Sequence, residues 1–577
     1  MLRGILLRWR SLGPRTLGLL SLVALGVCFA RASSTEYLPL TFSCWVLAIV
    51  AMAMRIDLVR PRETVPRDES VWQPPRWIPE LVLFVGAAVV LSWQLTDIPY
   101  FIHNDEANCG LAAHAYYPKR EVLLWARDPI MGHPAMPFFF HSLAFRVFGE
   151  GLFALRFVSV CAGMVAVTGL YCWLRWSVGR LPAILVAGLG ATHIHLIHFS
   201  HSGLSNIQAA AVIMASLAIA EAGFRFRRRS LLFLAGAVSC LGFFGYWSGN
   251  AAFPLILGRA VLEALWRRRE IGGARWAVSA ASWIVAGYAF TVAPALTVYS
   301  PMGVSNRPGN VFAFSPENAN HVRSVIGTND FGALVLYQLK MSFGILYRFG
   351  CSMEQFGYRG KGFYPHYTWV LALLGFLLML HRRPWRKLAL HWSAAFFGGI
   401  LVFSALALDP PPSTRLILLA PLWMVPIGML AAAIVQARSK FLRPLAALMV
   451  VVVAVVNLHE YFVVYTKQTR PGHLQDTIVR LLVQYPSVMR VDSEPELGPA
   501  NLGYEAFRWL TPVFWNHFVH GEQGSGDVLI LRRRGGTPPP GDVLASGKID
   551  RPQVLPADWW VVRGPAEVRG TASSEAK

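Results

Sequence analysis

Apolar runs long enough to cross a hydrocarbon core of about 30 Å begin near residues 16, 37, 79, 153, 181, 204, 231, 251, 277, 365, 389, 414 and 444. Lipid supplies no hydrogen bonds, so each crossing segment must pair its own backbone N–H and C=O groups, which leaves the helix as its structure. The sequence therefore predicts a mainly α, polytopic membrane protein of about thirteen spans. Composition agrees: 54% of the residues are hydrophobic and 15% charged, and the mean hydropathy is +0.43, whereas soluble domains carry roughly 25% charged residues. The first run has no clear small-residue cleavage site and a second follows almost at once, so it reads as a retained span rather than a signal peptide.

The charge balance of 53 Lys+Arg against 32 Asp+Glu, a net +21, would suit either a polyanion-binding surface or an orientation signal. Its distribution decides. Arg3, Arg8, Arg10 and Arg15, then Arg55, Arg60, Arg62, Arg67 and Arg76, then Arg175 and Arg180 are separated by even numbers of runs, as are the clusters at 225–229, 267–269, 382–387 and 438–443. The opposite short loops, HFSHSG, YWSGN and DPPPS, contain neither Lys nor Arg. By the positive-inside rule the basic face and the N-terminus are cytoplasmic, and no nucleic-acid partner is expected. The segment FGALVLYQLKMSFGILYRFG would break this parity as a span and would sink Lys340 and Arg348 to costly depths. It reads instead as an interfacial helix within an outer loop at 299–364.

The same parity places the chain after residue 465 outside. There YPSVMRVDS and DVLILRRR read as strands and LQDTIVRLLVQ as a helix, giving a small α/β domain, and the tail GTASSEAK reads as disordered. Three parts are expected: an N-terminal hairpin and cytoplasmic linker (1–78), a membrane domain (79–464) with long outer loops at 97–152 and 299–364, and the extracytoplasmic α/β domain (465–577).

The loop at 97–152 is dense in polar groups and carries adjacent carboxylates, Asp105 and Glu106, a few residues beyond an apolar run. Like charges at a membrane surface repel and are poorly solvated, so the pair marks either chemistry or the N-terminus of a helix, where carboxylates are favoured. The two readings are compatible.

Four places, in order and with compatible spacing over most of 79–435, make the chain resemble the GT-C membrane glycosyltransferases that use polyprenyl-phosphate sugars. That group includes the family 39 mannosyltransferases and the aminoarabinose transferases. The places are Asp105-Glu106-Ala107; Gly132-His133-Pro134 leading through FFFHSLAFRVFGEGLFALRFVSV; Tyr246, Trp247 and Pro254 at a turn; and PPPSTRLILLAPLW with Arg415. Short loops and the absence of organelle signals fit a bacterial inner membrane, and the resemblance implies a GT-C fold. It implies transfer of a hexosyl or pentosyl group from a carrier such as undecaprenyl phosphate to a hydroxyl of a glycolipid, protein or polysaccharide of the cell envelope. It further implies Asp105 as general base of an inverting displacement, with Glu106 positioning the acceptor, a cation or a neighbouring loop. A lipid phosphate is a good leaving group, so such a site needs one base and some cations. Arg415 is the first candidate for the phosphate, followed by Arg307, Arg359 and Lys361, with His133 and Tyr246 as further substrate contacts. Arg415 also reads as a cation snorkelling from a helix end. The chain departs from many relatives at His201 and Asn206, where they carry Arg and Asp, and at the Gly245 turn, which lacks a basic residue.

Two other function classes compete. Eight of the 16 His fall between 103 and 201, and His195, His198 and His201 in HIHLIHFSH are spaced i, i+3, which would let one helix face grip a metal. No cofactor is required by the transfer chemistry, and a divalent metal there stays open. Packing histidines are the plainer alternative. A transporter or flippase of lipid-linked sugars would show repeated halves and charges at the membrane centre, and neither is evident. No Asp-x-Asp, GxGxxG or P-loop points to a nucleotide. Cys109 and Cys351 both face the outer side, where a disulfide and two separate thiols are equally open.

Overall fold

The computed structural model describes residues 12–36, 38–59, 77–100, 102, 104–116, 123–125, 134–266, 273–298, 312–347, 362, 364, 368–408, 413–437, 441–469, 474–493, 509–510, 527–533, 543–549 and 557–562. They fall into two compact units, 1–95 with 112–462, and 96–111 with 463–577.

In the first unit, every apolar run singled out in the sequence contains a helix. Among the described residues, eight helices are long and apolar enough to cross a membrane: Pro14–Arg31, Leu38–Val59, Leu152–Val178, Ile207–Arg225, Gly273–Thr297, Arg383–Ala405, Thr414–Val435 and Leu442–Tyr465. Arg180–Ala191 and Ile194–His201, bent by 58°, make a ninth if taken as one span. The protein is thus an integral membrane protein, and the gap from about thirteen spans is one of helix length. Ile78–Ser92, Arg229–Phe244 and Thr368–His381 are shorter apolar helices, about 21–24 Å at 1.5 Å per residue. Ala252–Trp266 is likewise short and carries Arg259 and Glu263. The segment read as interfacial forms a helix, Phe331–Gly344, whose first turn is capped by the Asp330 carboxylate accepting from the N–H groups of Gly332 and Ala333. Its 14 residues span about 21 Å.

Small residues let the helices approach closely where no hydrophobic effect drives them together. At the crossing of Arg229–Ser239 with Gly273–Val292, a Cβ on Gly236 would lie 1.9 Å from the Ile284 carbonyl oxygen, and one on Gly287 would lie 1.9 Å from that of Phe233. Neither backbone leaves room for a side chain. Charge is buried only in compensated form. Arg259 donates from Nε to Glu221 and from Nη1 to Glu263, each at 2.7 Å, and Lys387 also donates to Glu263. Two cations thus face two anions, which offsets much of the desolvation cost.

In the second unit, helix Leu474–Gln484 precedes a sheet of β1 (Val488–Ser493), β2 (Asp527–Arg533), β3 (Val543–Ile549) and β4 (Ala557–Val562), in the order β1-β2-β4-β3. β1 runs parallel to β2, and β4 pairs antiparallel with both β2 and β3. Leu529, Leu531 and Val561 of the sheet are buried, as are Ile478, Val479 and Leu482 of the helix. The expected helix and two strands are present, and β3 and β4 add to them.

Candidate functional site

An apolar groove of about 480 Å³ lies in the first unit, within the range of ligand pockets. Three helices wall most of it with stripes set by their 3.6-residue period, and Val238, Leu241 and Phe244 of Arg229–Phe244 add to its lining. Met136–Phe148 contributes Pro137, Phe140, Ala144 and Val147; Leu152–Val178 contributes Phe157, Cys161 and Val165; Ile207–Arg225 contributes Gln208, Ala211 and Ala215. The alanines on the third helix create the hollow, since larger side chains there would fill it. Val147 and Val165 line the groove and are 74% and 46% exposed, so it opens sideways onto the apolar surface that faces lipid.

One end of the groove is polar. Gly245, Tyr246 and Gly249 line it there, together with Gln208 in the first turn of its helix. The Nε2 of Gln208 is buried and has no hydrogen-bond partner among the described residues, and the same holds for the hydroxyl of the neighbouring buried Ser248. A buried donor without a partner costs about 1–3 kcal/mol, so this end suits a ligand that brings an acceptor. The turn Trp247–Ala251 packs against Ser413–Leu416, which carries Arg415. Arg415 is half-buried, with Nη1 3.4 Å from the Leu408 carbonyl. Asn206, at the start of the Ile207 helix, donates from Nδ2 to the Thr414 carbonyl at 3.3 Å. Tyr246, Asn206 and Arg415, distant in sequence, are thereby gathered at one end of the bundle. Gln208 was missed in the sequence, where a lone amide opening an Ala-rich helix has no distinguishing pattern.

The paired carboxylates belong to the second unit. Helix Asn104–Tyr116 begins at Asn104, and Asp105 and Glu106 occupy its first turn, where the helix dipole favours negative charge. Asp105 is half-buried and Glu106 is 1% exposed. Cys109 is buried. His133, Arg307, Arg359, Lys361 and Cys351 lie outside the described residues.

The histidine run is not at a surface. The 58° bend after Ala191 turns Ile194–His201 into the bundle, and His193, His195, His198 and His201 are all buried among aromatic rings. The rings of His193 and His195 lie 4.6 and 5.0 Å from that of Trp423, and His201 lies 5.4 Å from Tyr461. His198 shares Tyr461 with His201, at 6.3 Å, while His195 packs on Trp423, and among the described residues no group of three or more His, Cys, Asp or Glu could hold a metal ion. Trp423 is tied in turn by the Tyr364 hydroxyl, which donates to its carbonyl at 2.6 Å; burial pushes that phenol's pKa up.

No protein-family model and no curated protein matches the chain. Solved structures do. ArnT from Cupriavidus metallidurans in the apo state is 13% identical with a TM-score of 0.50, over 85% of this chain and 100% of that one. The same protein bound to undecaprenyl phosphate is 13% identical, with a TM-score of 0.47 over 84% and 99%. The apo oligosaccharyltransferase of Archaeoglobus fulgidus is 13% identical, with a TM-score of 0.46 over 80% and 70%. The likeness to apo ArnT is one of fold, and the chain has the GT-C fold.

Proposed function

We propose that this membrane protein is a glycosyltransferase that moves a sugar from a polyprenyl-phosphate carrier to an acceptor hydroxyl. The observation that carries the reading is the laterally open apolar groove ending at Gln208 and Tyr246, beside the turn Trp247–Ala251 that packs against the Arg415 helix. A polyprenyl phosphate has the matching chemistry: a long branched apolar tail that enters from lipid, and an anionic head that takes a charge-assisted hydrogen bond from a guanidinium and accepts from a buried amide. The carriers named for ArnT and for the archaeal oligosaccharyltransferase are of this kind.

In the reaction, the acceptor oxygen attacks the anomeric carbon from the face opposite the phosphate. The bond from that carbon to the phosphate oxygen breaks, its electron pair leaves with the phosphate, and the configuration inverts. Asp105 takes the acceptor proton, and Arg415 and Gln208 bind the phosphate of the donor and hold it as its charge grows. Glu106 serves as a positioning group. The charge pattern of the loops supports a cytoplasmic N-terminus, an extracytoplasmic 465–577 segment and chemistry at the periplasmic face of a bacterial inner membrane.

The test is a purified, detergent-solubilised preparation supplied with a glycosyl polyprenyl phosphate and a hydroxyl acceptor, with released polyprenyl phosphate read by mass spectrometry. Release and glycosylated product are expected from the wild type. Asp105→Asn should lower kcat by about 10²–10⁴-fold, and transfer at near wild-type rate would remove Asp105 from the role of base. Envelope glycolipids and glycoproteins of a deletion strain, compared by mass spectrometry, identify the sugar and the acceptor.

A further inference from the structure

The chain between Thr96 and His103 contains no helix or strand among its described residues, so its carbonyls need donors from elsewhere. One side chain supplies donors to two of them. Arg480 donates from Nε to the Tyr100 carbonyl at 3.0 Å, and from Nη2 to the carbonyls of Tyr100 at 2.7 Å and Thr96 at 3.0 Å. Its guanidinium carbon also lies 4.5 Å from the centre of the Tyr100 ring, within cation–π range. A planar fork of donors meets two carbonyls four residues apart, a geometry that an ammonium cannot reproduce.

The base of this fork is firmly held. Arg480 sits on Leu474–Gln484, whose Ile478, Val479 and Leu482 are buried, and that helix leads within four residues into β1. A second hold acts on the far side of the carboxylates. The indole of Trp509, itself 4% exposed, lies so close to Gly110 that a Cβ there would sit 2.2 Å from Cε2. Asp105 and Glu106 are thus on a segment gripped at 96–100 and again at 110, both times by residues far along the chain.

We infer that Arg480 is a positioning residue for the carboxylate helix, and that the segment 463–577 acts in transfer by setting where Asp105 stands. The inference rests on the glycosyltransferase reading for its catalytic consequence and on geometry alone for the grip itself. Arg480 touches neither donor nor acceptor in this account, so its loss should lower kcat and leave donor binding intact.

The experiment uses the full chain in lipid nanodiscs, with Arg480→Ala and Arg480→Lys, and reads two things: hydrogen–deuterium exchange of peptides covering 96–111, and kcat and donor KM with a glycosyl polyprenyl phosphate. Arg480→Ala is expected to speed exchange at 96–111 while peptides from 152–178 keep wild-type protection. Its kcat should fall by about tenfold to a hundredfold with donor KM within about twofold of wild type. Added guanidinium ion should recover part of that kcat, and Arg480→Lys should fall between the two. Unchanged exchange at 96–111 would overturn the grip, and an unchanged kcat would overturn the positioning role. A loss of protection spread over the whole protein would also overturn it, reducing Arg480 to a folding residue. Faster exchange at 96–111 in a protein whose wild type transfers no sugar would uphold the grip and sink the glycosyltransferase reading instead. Gly110→Ala gives a second, independent probe. It should lower kcat, and pairing it with Trp509→Leu, which frees the space a Cβ needs, should restore part of the loss; a double variant no better than Gly110→Ala would count against the Trp509 hold.

Discussion

Gln208 and Arg415 differ in how they would meet a phosphate, and their variants should differ little. Each supplies a donor to a charged acceptor, an interaction of about 1.5–3 kcal/mol. Gln208→Leu and Arg415→Ala are therefore each expected to raise donor KM by about tenfold or more, with the protein still monodisperse in detergent. An Arg415→Ala enzyme with unaltered donor affinity would leave Arg415 as a helix-end cation. At this scale the sequence was informative where chemistry made a residue conspicuous. Adjacent carboxylates just past an apolar run, and an arginine after a run of prolines, stand out without a structure. Gln208 and Ser248 do not, because each becomes notable only through what lies beside it. His195, His198 and His201 show the reverse: a spacing that suits a metal on a straight helix face is spent on packing against Trp423 and Tyr461 once the bend buries the run.

Among the helices, burial of Arg259 against Glu221 and Glu263 is the interaction with most to lose. Truncating one partner of a buried pair costs about 3–5 kcal/mol, because the others are left charged and uncompensated. Arg259→Met should accordingly lower the thermal unfolding midpoint in detergent well below that of an exposed control such as Leu336→Ala. Replacing Arg259, Glu221, Glu263 and Lys387 together with apolar residues should recover much of the loss, because no charge of the network is then left without its partner. A single variant as stable as the control would show the network to be dispensable. Helix positions were legible from hydropathy at every run, because lipid burial demands long apolar stretches. Helix lengths and breaks were not, since the bend after Ala191 answers to packing. β3 and β4 were missed for a related reason. VLASGKI has no clean alternation and ADWWVV begins with a strand-poor pair, and each is held by its neighbour's backbone instead.

For the whole molecule, the groove makes the most direct claim. Ala215→Phe places an aromatic ring in the space between the three helices without touching the polar end. It is expected to raise donor KM for a long-chain donor more than for a water-soluble short-chain analogue. Equal effects on both would show that the tail does not use the groove. The fold class of the protein, its many membrane helices, the distribution of charge over its loops and the conspicuous carboxylates were all determined by the sequence alone, because hydropathy, net charge and residue type are local properties. The gathering of Tyr246, Asn206 and Arg415 at one end of a groove, and the hold of Arg480 on a loop some 380 residues earlier, were decided only by the tertiary structure. Those relations depend on which helix faces and which loop carbonyls meet, and a linear pattern does not encode the partner.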